Sequence, residues 1–113
     1  MKHTIEGYRS RLQTPARAQQ YAERFEKPSR RRIDRRERSA VRRIFARLPD
    51  CATVLDVPSG AGRLASAVGQ GRRLVIEMDV AFEILLHARQ RAQRDGQRAV
   101  MVQADASKLP LVD

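Results

Sequence analysis

Asp56, the triplet Gly60-Ala61-Gly62 and Asp79 are the residues whose types and spacing suggest chemistry in this chain. Glycine has no Cβ, so the backbone at 60–62 can pass close to a ligand. A helix begun directly after the triplet would aim its free N–H groups and positive dipole end at that ligand. Asp79 follows Gly60 by 19 residues. At the carboxyl end of a second strand, a carboxylate at this distance accepts hydrogen bonds from both hydroxyls of a ribose. A lone Gly-x-Gly is common by chance, whereas the same triplet between a strand and a helix, followed by such an acid, is more specific. The plainer alternative is an ordinary tight turn with a surface acid.

Two nucleotide-type cofactors suit this arrangement. Gly60-Ala61-Gly62-Arg63-Leu64-Ala65 satisfies the dinucleotide pattern G-x-G-x-x-A, which admits NAD. Asp56 argues the other way, because a buried carboxylate repels the two charges of a pyrophosphate. A cofactor carrying an ammonium and a sulfonium would be attracted, which points to S-adenosylmethionine.

The surrounding pattern supplies elements to position these groups. Ala52 to Val57 reads as a buried strand, and Pro58 to Gly62 as a sharp turn. Arg63 to Val68 reads as a short helix ended by Gly69 and Gly71. Leu74 to Asp79 reads as a second strand, Ala81 to about Arg94 as a helix with Gly96 behind it, and Ala99 to Ala104 as a third strand ending at Asp105. Strand, helix, strand, helix, strand implies an α/β fold with a Rossmann-like parallel sheet and right-handed crossovers.

Two helices are expected ahead of that unit. Thr14-Pro15 is a start signal for the first, which runs to Glu26 with Ala18, Tyr21, Ala22 and Phe25 on one face. The second is expected from about Arg30 to Leu48, stopping before Pro49, with Ile33, Val41, Ile44, Phe45 and Leu48 as its apolar stripe. It holds nine arginines between Arg30 and Arg47, against Asp34 and Glu37. Clustered arginine can bind phosphate backbones, so a non-catalytic nucleic-acid-binding protein is a competing reading. No aromatic residues interleave with these arginines to stack bases, which favours a solvated helix face.

Composition narrows the classes further. The 113 residues suit one domain. Residues 1–50 hold 15 Lys and Arg against 6 Asp and Glu, whereas 51–113 hold 8 against 7. A basic helical segment, 1–50, is therefore read separately from a nearly neutral unit, 51–113. The longest apolar run is the four residues Ala99 to Val102, far short of the roughly 20 a membrane span needs. The N-terminus also lacks the apolar centre of a secretory signal. Cys51 is the single cysteine, so no intramolecular disulfide forms, which fits a cytoplasmic location. With only His3 and His87 besides, a structural zinc site is not expected.

Val54-Leu55-Asp56-Val57-Pro58-Ser59-Gly60-Ala61-Gly62-Arg63-Leu64 resembles the first motif of the class I S-adenosylmethionine-dependent methyltransferases. Val75 to Leu85, centred on Asp79, resembles their second motif, and Gln103 to Asp113 their third. Pro58 replaces the first glycine of the family's turn and Ser59 its usual cysteine; Pro58 cannot donate an N–H. The resemblance covers about 51–113 and implies the βαβαβ, cofactor-binding half of such an enzyme, with strand order 3-2-1.

By that resemblance Gly60, Ala61 and Gly62 cradle the methionine part of the cofactor, and Asp56 holds its ammonium side. Asp79 binds the ribose, while Asp105 and the Ala106 N–H meet the adenine. Arg63 faces the cofactor carboxylate or solvent, and Tyr21 and Phe25 either close over the cofactor or pack plainly. The implied activity is methyl transfer to an acceptor, a small molecule in preference to a nucleic acid. No general base is assignable. The resemblance ends where a fourth strand should begin, so the 113 residues alone are expected to be inactive and to self-associate through the exposed edge of strand one.

Overall fold

The computed structural model describes residues 14–70 and 72–111. Gly71 and the last two residues of the third motif, Val112 and Asp113, lie outside that range. The described elements, in chain order, are α1 (Pro15–Glu23), a 3₁₀ turn (Arg24–Glu26), α2 (Pro28–Phe45), β1 (Thr53–Asp56), α3 (Ala65–Val68), β2 (Leu74–Asp79), α4 (Phe82–Asp95) and β3 (Ala99–Gln103).

Helix α1 starts as its first residues dictate. The Thr14 hydroxyl accepts from the Arg17 N–H at 3.3 Å, and Pro15 occupies the first turn, where no N–H is needed. It ends at Glu23, not Glu26, because the chain tightens into the 3₁₀ turn before Pro28. Pro28 begins α2 behind Lys27, so this helix starts two residues earlier than the arginine run alone suggests. It also stops at Phe45, before the expected Leu48. Helix α4 closes on Gly96 in the left-handed region, at φ 65°, as a C-terminal glycine should.

The three strands form one parallel sheet in the order β1-β2-β3. This is the 3-2-1 arrangement expected of a Rossmann-like unit, and it brings the carboxyl ends of all three strands to one edge. The helices cover one face. Val54, Val75, Ala65 and Val68 form a core there, with Val41 and Phe45 of α2 packed against it. A second cluster joins Ala18 of α1 to Ala61, Ala81 and Ile84, with Tyr21 and Ala22 alongside. Ile33, Ile44 and Leu48, expected on the apolar stripe of α2, are instead exposed. Buried Arg73 clamps the far end: it donates to the carbonyls of Leu48 at 2.6 Å, Pro49 at 3.1 Å and Val68 at 3.2 Å.

On the other face, Leu55, Ile76 and Val100 stand in one register row across the sheet. Leu55 and Val100 are exposed. Among the described residues β1 pairs on one side only. An apolar strand edge beside an apolar row is a template for association. The 113-residue polypeptide is therefore expected to self-associate, and Leu55→Lys to suppress this. Light scattering checks it, and wild type and variant giving the same monomer mass would remove the role of β1.

Candidate cofactor site

The turn that follows β1 is held open by hydrogen bonds to its neighbours. The Ser59 N–H donates to the Met78 carbonyl at 2.8 Å, which ties the turn to β2. Gly60 and Gly62 take φ values of 57° and 75°, which L residues with side chains disfavour. Their two roles differ. A Cβ at Gly60 would meet only the Tyr21 ring, at 3.5 Å. A Cβ at Gly62 would lie 3.0 Å from Glu77 Oε1 and 3.1 Å from the Ala88 backbone. Gly62 thus permits α4 to approach the turn, a packing role beside the cradling role expected from the sequence. Gly62→Ala should cost about 2–4 kcal/mol, from backbone strain and overpacking together. Gly60→Ala should cost about 1–2 kcal/mol, from strain alone. Chemical denaturation of the two variants checks the order; equal losses would contradict the packing role.

The short helix begins at Ala65, not at Arg63, and spans four residues. It therefore does not start directly behind the triplet. Arg63 lies in the connecting turn, where its guanidinium donates to Asp34 Oδ1 and Glu37 Oε2, both at 2.7 Å. It also stacks on Phe25, 4.0 Å from the ring centroid. The two acids of α2 thus face inward to Arg63, and Arg38 donates to Ser66 Oγ at 2.8 Å. Exposed arginines, among them Arg32, Arg36 and Arg43, occupy the outer side of α2.

Asp56 and Asp79 come together at the carboxyl edge of β1 and β2. Asp79 is buried, and its two oxygens accept from the Gly60 N–H at 2.9 Å and the Ala81 N–H at 3.0 Å. It pins the glycine turn and also serves the start of α4, a role the sequence reading did not assign. Asp56 is half-buried. Burial raises its pKa above the usual carboxylate range, the Asp79 charge adds to this, and Arg63 opposes it. Asp56 lines a cavity of about 150 Å³ together with Tyr21, Phe25, Ser59, Gly60, Ala61 and Arg63. Typical ligand pockets are about 300–1,000 Å³, so this space is smaller than a whole nucleoside ligand needs, and Tyr21 and Phe25 form part of its wall. A larger cavity, about 410 Å³, lies between α1 and α4, lined by Gln19, Glu23, His87 and Arg94 among others. It contains none of the carboxylates of the strand ends.

Asp105 lies two residues beyond β3, continuing the row of acids along the sheet edge. Its Oδ1 accepts from the Ser107 N–H at 2.8 Å and the Ser107 hydroxyl at 2.7 Å. These bonds hold its carboxyl below the usual pKa range. Neighbouring Ala106 is exposed. Glu77 was not singled out from the sequence, yet it is fully buried beside Asp56, and neither of its carboxyl oxygens has a hydrogen-bond partner. The available signal was an acid inside the apolar run Leu74-Val75-Ile76-Glu77-Met78. Among the described residues no group of three or more His, Cys, Asp or Glu side chains is arranged to hold a metal ion. No described helix is long and apolar enough to cross a membrane.

A parallel α/β sheet whose strand ends present a glycine turn and successive acids defines a Rossmann-like, nucleotide-cofactor type of unit. The family described as "Methyltransferase domain" matches residues 55–113, and the chain belongs to it. The chain is also similar in fold to the crystal structure of a SAM-dependent methyltransferase from Aquifex aeolicus, with a TM-score of 0.55 and 24% identity. That likeness covers 99% of this chain and 53% of the other, so the chain spans about half the neighbour's length. No curated protein matches it significantly.

Proposed function

We propose that the chain binds S-adenosylmethionine at the Gly60–Gly62 turn and serves methyl transfer to an acceptor that is a small molecule. The observation that carries this reading is Asp56, a half-buried carboxylate on the wall of the cavity beside Gly60. A carboxylate there favours a ligand bearing ammonium and sulfonium charge and disfavours a pyrophosphate. When bound, the cofactor supplies an electrophilic methyl group on an already activated sulfonium.

The residues of the chain bind and orient. Asp56 attracts the cationic end. Asp79 keeps the turn in place and is assigned to the ribose hydroxyls. Asp105 and the Ala106 N–H are assigned to the adenine, and Tyr21 and Phe25 exclude water from above. Such positioning supplies much of the acceleration in a displacement at methyl. No general base is assigned among the described residues, and the 113-residue polypeptide by itself is expected to give little turnover in a tritiated-methyl assay.

Calorimetric titration with S-adenosylmethionine and with NAD tests the proposal. Saturable binding of the first, at least tenfold tighter than NAD, is expected; tighter NAD binding would sink it. The exposed arginines of α2 favour a second reading, attachment to nucleic acid. Its signature is affinity that falls with salt by about 0.7–0.9 log units per log unit of salt for each phosphate neutralised. Weak or salt-insensitive binding of a duplex and a single strand removes it.

A further inference from the structure

Glu77 occupies the interior of β2, where every other charged group would be expected to have a partner. It is register partner to Asp56 on β1 and lies two residues before Asp79 on the same face of the strand. Its side chain is fully buried, and neither carboxyl oxygen accepts or donates a hydrogen bond. Oε1 lies directly behind the glycine turn, at the place a Gly62 methyl group would crowd to 3.0 Å. The carboxyl therefore sits against Gly62 of the cradle and is not part of the wall of the cavity that Asp56 lines.

The charges around it favour the neutral acid. Asp56 faces it from β1, and Asp79 follows on its own strand. Arg91 approaches from α4 and stays protonated, although burial and then Arg38 and Arg94 lower its pKa. Arg63 in the turn is held by Asp34 and Glu37 of α2. Burial first, and the Asp56 charge second, push the Glu77 carboxyl up to about 8, with Arg91 opposing. Positive charge placed beside Asp56 would offset the second of these, the Asp56 repulsion, and so lower the Glu77 pKa while the effect of burial remains.

We propose that Glu77 is a proton-exchanging carboxyl behind the cofactor cradle, neutral while the cradle is empty and partly ionised when a cationic ligand occupies it. The O–H bond of the Glu77 carboxylic acid breaks, the electron pair stays on the carboxylate, and the proton leaves to solvent. This rests on the proposed S-adenosylmethionine site and deepens it. It makes the site selective by charge: a sulfonium ligand releases more proton than S-adenosylhomocysteine, which lacks that charge, and anionic NAD releases none. Affinity for S-adenosylmethionine rises with pH below about 8, by up to about tenfold per unit.

Two measurements test it. Carbon-13 NMR of the ligand-free protein follows the Glu77 carboxyl through pH 4–9. Titration near 8 is expected, whereas titration near 4.5 overturns the inference whatever the ligand does. Calorimetry with S-adenosylmethionine at pH 7, in two buffers of different ionisation enthalpy, then counts protons released by wild type and by Glu77→Gln. Titration of the ligand's own ammonium is common to both proteins, so the difference reports Glu77. Release by wild type that is lost in a folded E77Q supports the proposal. Equal proton counts overturn it while leaving the cofactor reading intact, and absence of S-adenosylmethionine binding to either protein overturns both.

Discussion

Asp79→Ala is expected to lower stability by about 3–5 kcal/mol and to abolish cofactor binding. The carboxylate is buried and satisfies two backbone N–H groups, those of Gly60 and Ala81. Hydrogen bonds to a charged group contribute about 1.5–3 kcal/mol each, and donors left buried without an acceptor cost a similar amount. Whole domains are stable by only about 5–15 kcal/mol, so the variant should be close to unfolding. From the sequence alone Asp79 is a ligand group, whose loss would weaken binding more than folding. Its two backbone partners make it a structural group as well. Asp79→Asn keeps one acceptor oxygen and should lose less stability while still failing to bind the cofactor tightly. Urea denaturation and titration of both variants check this. An Asp79→Ala protein as stable as wild type would contradict the pinning role.

Stability should fall as pH rises from about 5 to 8, and Glu77→Gln should flatten that fall. The Glu77 carboxyl is raised to about 8 in the folded protein from an ordinary value of 4.5. The unfolded chain therefore loses this proton first. The contribution is fully present below pH 4.5, declines between the two values and is gone above about 8. At about 1.4 kcal/mol per pH unit the total is about 3–5 kcal/mol, an upper figure because water entering beside an ionised carboxylate softens the loss. Asp56, raised chiefly by burial, adds in the same direction. Thermal or urea unfolding of wild type and E77Q at pH 5, 7 and 9 measures the difference. Parallel pH profiles would contradict the burial of an unpartnered acid.

Elements with strong local signals were legible in the chain. Leu74–Asp79 was bounded correctly because an apolar run sits between polar flanks, and Thr14-Pro15 marked the start of α1 by its capping chemistry. Parallel order followed from the alternation of strands and helices. What local pattern could not show depends on partners distant in sequence. Arg63 was read as helical, yet Asp34 and Glu37, 29 and 26 residues earlier, hold it in the turn. Glu77 looked like one polar residue in a strand until the register placed Asp56 beside it. Gly62 reads as a ligand contact, and its second role, the room it leaves for Glu77 and for Ala88 of α4, depends on packing that no local pattern shows. The spacing from Gly60 to Asp79 was visible as a cofactor signal, and the hydrogen bond between the two required the folded turn.

The most direct measurement of the central claim is a nitrogen-15 NMR titration of the protein with S-adenosylmethionine, with NAD as the parallel arm. The expected result is saturable shifts at the amides of Gly60, Ala61, Gly62 and Ala81, extending to Ala106, with NAD giving none. Shifts confined to the arginine face of α2, absent altogether, or equal with NAD would contradict a methyl-donor site at the Gly60–Gly62 turn.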